Sequence, residues 1–166
     1  DWTSHDVVAK LRGILHEKRI GHAGTLDPMA TGVLPVFVGR ATRGVEFFEH
    51  AEKTYDAVLL LGRTTDTQDV TGTVLAEKAV HLSPADIDRV LPRFRGDILQ
   101  VPPMYSALKV NGKKLYELAR KGQEVERQPR PITVFELTNL GFDGTRLSLR
   151  VKCSKGTYIR TLCQDI

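Results

Sequence analysis

Cysteine is scarce in this sequence of 166 residues: Cys153 and Cys163 are the only two, and they form no CxxC. With no signal-type start, this argues for a reducing, cytoplasmic setting over a disulfide scaffold. No apolar run approaches the roughly 20 residues that span a bilayer, so no membrane segment is expected. The five histidines (His5, His16, His22, His50, His81) are scattered without metal-ligand spacing, and no metal is expected. There is no P-loop and no GxGxxG. The glycine-rich stretch GHAGTLDPMATG lacks the Lys-Ser/Thr of a phosphate cradle and leads into an expected strand, so no cofactor site is read there. No Ser or Cys nucleophile with a His base is evident either. No internal repeat, linker or low-complexity stretch breaks the chain. Apolar residues at 41% and charged residues at 27% suit one ordinary globular domain.

Excess charge of one sign is also nearly missing, since 24 Lys+Arg stand against 20 Asp+Glu for a net +4. Its placement is informative. Residues 105–130 hold seven basic residues (Lys109, Lys113, Lys114, Arg120, Lys121, Arg127, Arg130) against Glu117, Glu124 and Glu126. That segment carries the whole excess. It reads either as a solvated face or as a contact surface for a polyanion.

Thr3 and Asp6 have capping-box spacing, and Val7, Val8, Leu11, Ile14 and Leu15 recur at helical intervals, which predicts a helix ending by Gly21. Its opposite face offers Lys10, Arg12 and Lys18, with Arg19 nearby at the basic C-terminal end. Residues 21–32 read as a loop, 33–38 as a short buried strand and 41–48 as a short helix with Val45, Phe47 and Phe48 inward. Residues 55–61 read as a strand with Tyr55, Ala57, Leu59 and Leu61 on one side. Residues 62–75 are polar and turn-rich, and Ser83-Pro84 with Asp86 predicts a second capped helix, shortened at Pro92 and closed by Gly96. Asn111-Gly112 signals a type I′ hairpin, and residues 115–120 a short helix. Residues 132–140 and 147–153 read as strands joined through Asp143-Gly144, and Tyr158, Ile159 and Leu162 open a last helix. Without a regular βαβ repeat, the fold class is α+β with a mixed, largely antiparallel sheet and flanking helices. A first helix with no strand before it and an uncapped helix at Ile166 suggest a piece of a longer chain.

A glycine- and proline-rich loop between a helix and a strand can hold one side chain in a fixed pose. Asp27 is its only carboxylate and His22 its only imidazole. Arg160, starting the last helix, could pair with a buried carboxylate and keep it ionised. Tyr55 could stack on a planar ligand. Taken singly, Asp27 before Pro28 also suits an Asx turn, Arg160 a surface helix position and Tyr55 a core aromatic.

Four segments settle the balance: GHAGTLDPMATGVLPVFVGRAT, KTYDAVLLLGRTTDTQDVTG, VPPMYSALKVNGKKLYELARKG and KCSKGTYIRTL. Together they resemble the bacterial TruB family of tRNA pseudouridine synthases, in order and without large gaps from Trp2 to Ile166. The resemblance implies a pseudouridine synthase fold and isomerisation of a uridine in the T loop of tRNA. It implies Asp27 as the catalytic aspartate, Tyr55 as the residue stacking on the flipped base, and Arg160 as the ion-pair partner of the aspartate. His22 would enter the RNA loop where the target base has left. Residues 97–130 would be an RNA-gripping insertion, with Lys109, Lys113, Lys114, Arg120 and Lys121 beside Lys18 and Arg19 as phosphate contacts. The strand and Asp-Lys-Pro turn that precede this region in the family are not in the sequence, nor is a C-terminal PUA-type domain. The expected molecule is a monomer that binds the tRNA T stem-loop and needs no cofactor. A non-catalytic tRNA-binding or RNA-chaperone module is the alternative.

Overall fold

Thr3 starts the first helix as its spacing with Asp6 predicts. Its Oγ1 accepts from the Asp6 amide at 3.1 Å while the Asp6 carboxylate accepts from the Thr3 amide at 2.8 Å, setting α1 (Ser4–Leu15). The computed structural model describes residues 2–48 and 51–166, so His50 lies outside the described residues. The chain divides into two compact units, Asp1–Ala51 and Glu52–Ile166.

In the first unit α1 ends on His16, whose φ of 50° is left-handed. Of its expected apolar stripe Val8 is buried, whereas Ile14 and Leu15 are exposed. Two short strands follow, β1 (Ile20–His22) and β2 (Val36–Val38), paired antiparallel with His22 opposite Val36. Gly21 and His22 are therefore strand residues, and the irregular loop runs only over 23–35. The strand expected over 33–38 is shorter and half-buried, with Val33 87% exposed. Pro35 has no N–H to extend the ladder, although its carbonyl accepts from Ala23 at 3.0 Å. The short helix expected over 41–48 is a 3₁₀ helix, Gly39–Phe48. Three residues per turn put Phe48 in line with Val45 but rotate Phe47 away. Phe48 meets Phe37 edge-on at 5.1 Å but is 47% exposed, and Phe47 is 80% exposed, so neither lies on the expected inward face.

In the second unit a sheet is built from β3 (Lys53–Leu60), β6 (Gly96–Gln100), β9 (Arg130–Phe142) and β10 (Arg146–Cys153), in the order β3-β10-β9-β6. Between its strands come β4 (Arg63–Thr65), β5 (Val74–Glu77), α2 (Pro84–Val90), and a hairpin of β7 (Lys109–Val110) and β8 (Lys113–Lys114) followed by α3 (Leu115–Ala119); α4 (Ile159–Asp165) closes the chain. Every described pairing is antiparallel. The class is α+β, as expected.

Ser83 and Asp86 form the second capping box, and Pro92 converts the end of α2 into a 3₁₀ turn, Leu91–Phe94. Alternate residues of β10 (Leu147, Leu149, Val151, Cys153) meet Ile132, Val134 and Leu137 of β9 under Ile87, Leu91 and Leu162 from the helical layer. Each fully buried Leu or Val side chain contributes about 1.5–3 kcal/mol by leaving water. The opposite face is wet, and there Arg150 grips Asp56 through two 2.8 Å bonds.

Two strand features of the second unit were not expected. Residues 62–75, read as turns, hold β4 and the start of β5, a hairpin whose second strand is exposed throughout and so lacks the alternation that marks a half-buried strand. Residues 97–100, for which no strand was expected, belong to strand β6. It begins on Gly96 at φ 82° and pairs with β9 from Val134 to Arg130. Residues 101–129, between β6 and β9, carry the β7–β8 hairpin and α3.

Candidate active site and nucleic-acid interface

In the first unit, Ser4 in the first turn of α1 is 5% exposed and reaches across to the loop. Its hydroxyl accepts from the Leu26 amide at 3.0 Å and donates to the Leu26 carbonyl at 3.3 Å. The peptide just ahead of Asp27 is thus held from both ends. Asp27 then opens a turn with Pro28 at its second position, closed by the Ala30 amide on the Asp27 carbonyl at 2.9 Å. Helix, pinned peptide and proline turn together aim a half-buried carboxylate. His22, at the end of β1, donates through Nδ1 to the Gly24 carbonyl, and Gly24 makes the bend possible with φ 84°. A neutral ring in this tautomer keeps Nε2 as an acceptor. Arg19 is fixed through its backbone, accepting from Gly39 and donating to the Glu17 carboxylate, both at 2.7 Å. Lys18 lies beside Arg12, His16 and Glu17 around a shallow concavity.

In the second unit, Tyr55 stands on the core side of β3 opposite Val151, half-buried and packed against the apolar cluster. Arg160 is the second residue of α4 and 14% exposed. Its guanidinium donates to the Thr67 carbonyl at 2.6 Å and the Tyr105 carbonyl at 2.9 Å, and lies 3.7 Å from the Asp69 carboxylate. Planar and five-donor, it joins three chain segments: the β4–β5 loop, the root of the insertion and α4.

Asp69 was not singled out from the sequence. Its Oδ1 accepts from Thr67 Oγ1 (2.8 Å), Thr71 N (2.9 Å) and Thr71 Oγ1 (2.6 Å). Burial pushes its carboxyl up, but these bonds and the Arg160 charge outweigh it and hold the carboxyl below the usual range. Gln68, at φ 61°, accepts from Thr161 of α4 at 2.6 Å. The only signal for this loop was the run of threonines and aspartates in TTDTQDVTG, whose side chains readily close turns on backbone amides.

The insertion has a small core of its own, with Leu115 and Leu118 of α3 buried. Asn111 (φ 50°) and Gly112 (φ 80°) form the expected type I′ turn. Lys109 faces Lys114 across the hairpin, with Lys113 next to it. Like charges directly opposite are unfavourable, so the arrangement suits an anionic partner better than the isolated fold. Lys114 and Arg120 flank the Tyr116 ring at 5.4 and 5.2 Å. Lys109, Lys113, Arg120 and Lys121 are exposed. Arg127 ties the two ends of the insertion together by donating to the Pro102 carbonyl at 3.3 Å.

Burial raises both thiols, Cys163 to about 11, which leaves neither as a ready nucleophile. Among the described residues no group of His, Cys, Asp and Glu could hold a metal ion, and no helix is long and apolar enough to cross a membrane.

Residues 12–159 match the TruB family pseudouridylate synthase, N-terminal domain. The chain belongs to the TruB family. It is 52% identical over 164 residues to a tRNA pseudouridine synthase B of Clostridium kluyveri and 54% identical over 172 residues to one of Streptococcus gordonii. In each case 99% of the chain is covered, but only 57% and 59% of the relative, so the chain spans somewhat more than half their length. Among solved structures it resembles a chain of a Cbf5–Nop10–Gar1 complex, with TM-score 0.73, 32% identity, and coverage of 99% of this chain and 40% of that one. It also resembles a chain of an H/ACA RNP bound to a substrate RNA containing 2′-deoxyuridine, with TM-score 0.69, 29% identity, and coverage of 99% and 38%. This TruB chain therefore has the pseudouridine synthase fold.

Proposed function

We propose that the chain is the catalytic part of an enzyme that converts a uridine in the T loop of tRNA to pseudouridine. The observation that carries this reading is the identity of about half its residues with tRNA pseudouridine synthases over 99% of its length. In the reaction the N1–C1′ bond breaks, the C5–C1′ bond forms, the C5 proton leaves and N1 gains a proton. Atoms and electrons balance within the substrate, and no redox partner is required.

Neither C1′ nor C6 of a stacked uridine is accessible, so the base must be flipped, at a cost of a few kcal/mol. His22 fills the vacated place in the loop, its ring oriented by the bond to the Gly24 carbonyl. Tyr55 stacks on the extruded base. The Asp27 carboxylate, set by the Ser4-pinned peptide and the Pro28 turn, attacks C1′, adds to C6 or removes the C2′ proton; all three routes need it ionised and close to the ribose. Arg160, held rigid by two carbonyls, stabilises and orients that charge. Lys18, Arg19, Lys109, Lys113, Lys114, Arg120 and Lys121 contact phosphates of the T stem-loop, giving affinity without sequence reading. A monomer acting on cytoplasmic tRNA completes the reading.

The test is tritium release from a T stem-loop labelled at uridine C5, using the full-length protein. Asp27→Asn should abolish release while keeping RNA binding within a few-fold. Binding without release by the unaltered protein would favour the non-catalytic RNA-binding module instead.

A further inference from the structure

Gln100 is a buried amide that the reaction chemistry does not use. It ends β6, is 2% exposed, and spends both ends of its side chain on one backbone unit. Nε2 donates to the Tyr158 carbonyl at 3.1 Å, and Oε1 accepts from the Tyr158 amide at 2.8 Å. A side-chain amide thus pairs with a main-chain residue much as a neighbouring strand would.

Tyr158 is the last extended residue before α4, at φ −95° and ψ 106°, and the helix has no side-chain cap. Its carbonyl also accepts the first helical bond, from Leu162 at 3.0 Å. One oxygen therefore serves both Gln100 and the first turn of the helix. Arg160 is carried on that turn, two residues beyond Tyr158. On the other side Thr161 is tied to Gln68, and the Arg160 guanidinium to Thr67 and Tyr105. Leu162 is anchored in the core. Gln100 is the contact among these that fixes the backbone direction from which Arg160 departs.

We propose that Gln100 is a positioning residue for the isomerisation, acting through Arg160 by locking the Tyr158 backbone at the start of α4. This rests on the reading above, in which Arg160 orients the carboxylate of Asp27. Gln100 sits immediately before residues 101–129 yet faces the sheet interior, so its loss should be felt in the chemical step and not in tRNA capture. A displacement of about 1 Å in a group that orients a reacting centre can lower a rate about 100-fold.

The experiment is a double-mutant cycle on the full-length protein, read by single-turnover tritium release and by tRNA binding. Gln100→Leu removes both bonds. Gln100→Glu keeps the shape but, when ionised, loses the donor to the Tyr158 carbonyl, and it provides a second variant should Gln100→Leu fold poorly. Each should lower the single-turnover rate about 10- to 100-fold with tRNA affinity changed less than about twofold. In an Arg160→Ala background the same substitutions should add no further loss, because the group they position is gone. Losses that multiply with Arg160→Ala, or tRNA affinity falling in parallel with rate, overturn the proposal. Normal release by both Gln100 variants also overturns it while leaving the proposed function intact. Absence of release by the unaltered protein overturns the proposed function and this inference with it.

Discussion

Replacing Lys109 and Lys113 by Gln tests the charge placement of the insertion hairpin in two independent ways. Lys109 stands opposite Lys114, and Lys113 follows the Asn111-Gly112 turn, so three ammonium groups crowd four strand residues. If Lys109 and Lys113 each release one counterion on binding, the slope of log K against log salt should flatten by about 0.7–0.9 per charge, or about 1.4–1.8 for the pair. At 0.1 M salt this corresponds to about 25- to 60-fold weaker binding. Meanwhile the free protein loses a repulsive cross-strand pair, so its thermal stability should stay level or rise slightly. Lys114 is left in place because its Nζ lies 3.2 Å from the Tyr116 hydroxyl and supports that ring. The assay is a filter-binding salt titration of a T stem-loop, with a thermal melt of each protein. Weaker binding with an unchanged slope, or a slope change with a large fall in melting temperature, would refute the phosphate-contact reasoning.

Three further outcomes are expected. Ser83→Ala removes the α2 cap and should lower stability by about 1 kcal/mol in urea unfolding, with unaltered turnover. Gly62→Ala would place a Cβ 2.4 Å from the Lys78 carbonyl at φ 79°, so its loss in the same assay should exceed the roughly 1–2 kcal/mol of left-handed strain alone. Asp69 has a lowered carboxyl pKa, so its ionised-state stabilisation is complete above the ordinary value of 3.8 and fades as pH falls through the lower native one; Asp69→Asn should flatten stability against pH in that acid window.

What could be read from the residues depended on whether a signal was local. Capping boxes at Thr3 and Ser83, the Asn111-Gly112 turn and the alternation of 147–153 are short-range patterns, and each appears where expected. Strand β6 was hidden because its pairing with β9 is long-range and its five residues include only two apolar ones. Phe47 was misplaced because periodicity assumed 3.6 residues per turn where the backbone takes three. For the site, Asp27 and His22 stood out by being single in an unusual loop. The surroundings of Arg160 did not: Asp69, Gln68 and Gln100 gain meaning only once chain segments far apart in number meet at α4.

Strand β3 closes onto β10 across a long stretch of chain, with Asp56 and Arg150 separated by 94 positions. During synthesis β3 must therefore wait until nearly the whole described chain has emerged before its ladder can form, whereas β9 and β10 can pair at once through their tight connection. Contacts between distant parts of a chain slow folding, so β3 docking is the expected late step. The insertion lies within that waiting stretch and makes up roughly a third of it. Since closure entropy grows only with the logarithm of loop length, carrying it raises the closure cost by about 0.3 kcal/mol. A basic segment of this length could thus be gained or lost between β6 and β9 at almost no expense to the assembly of the sheet.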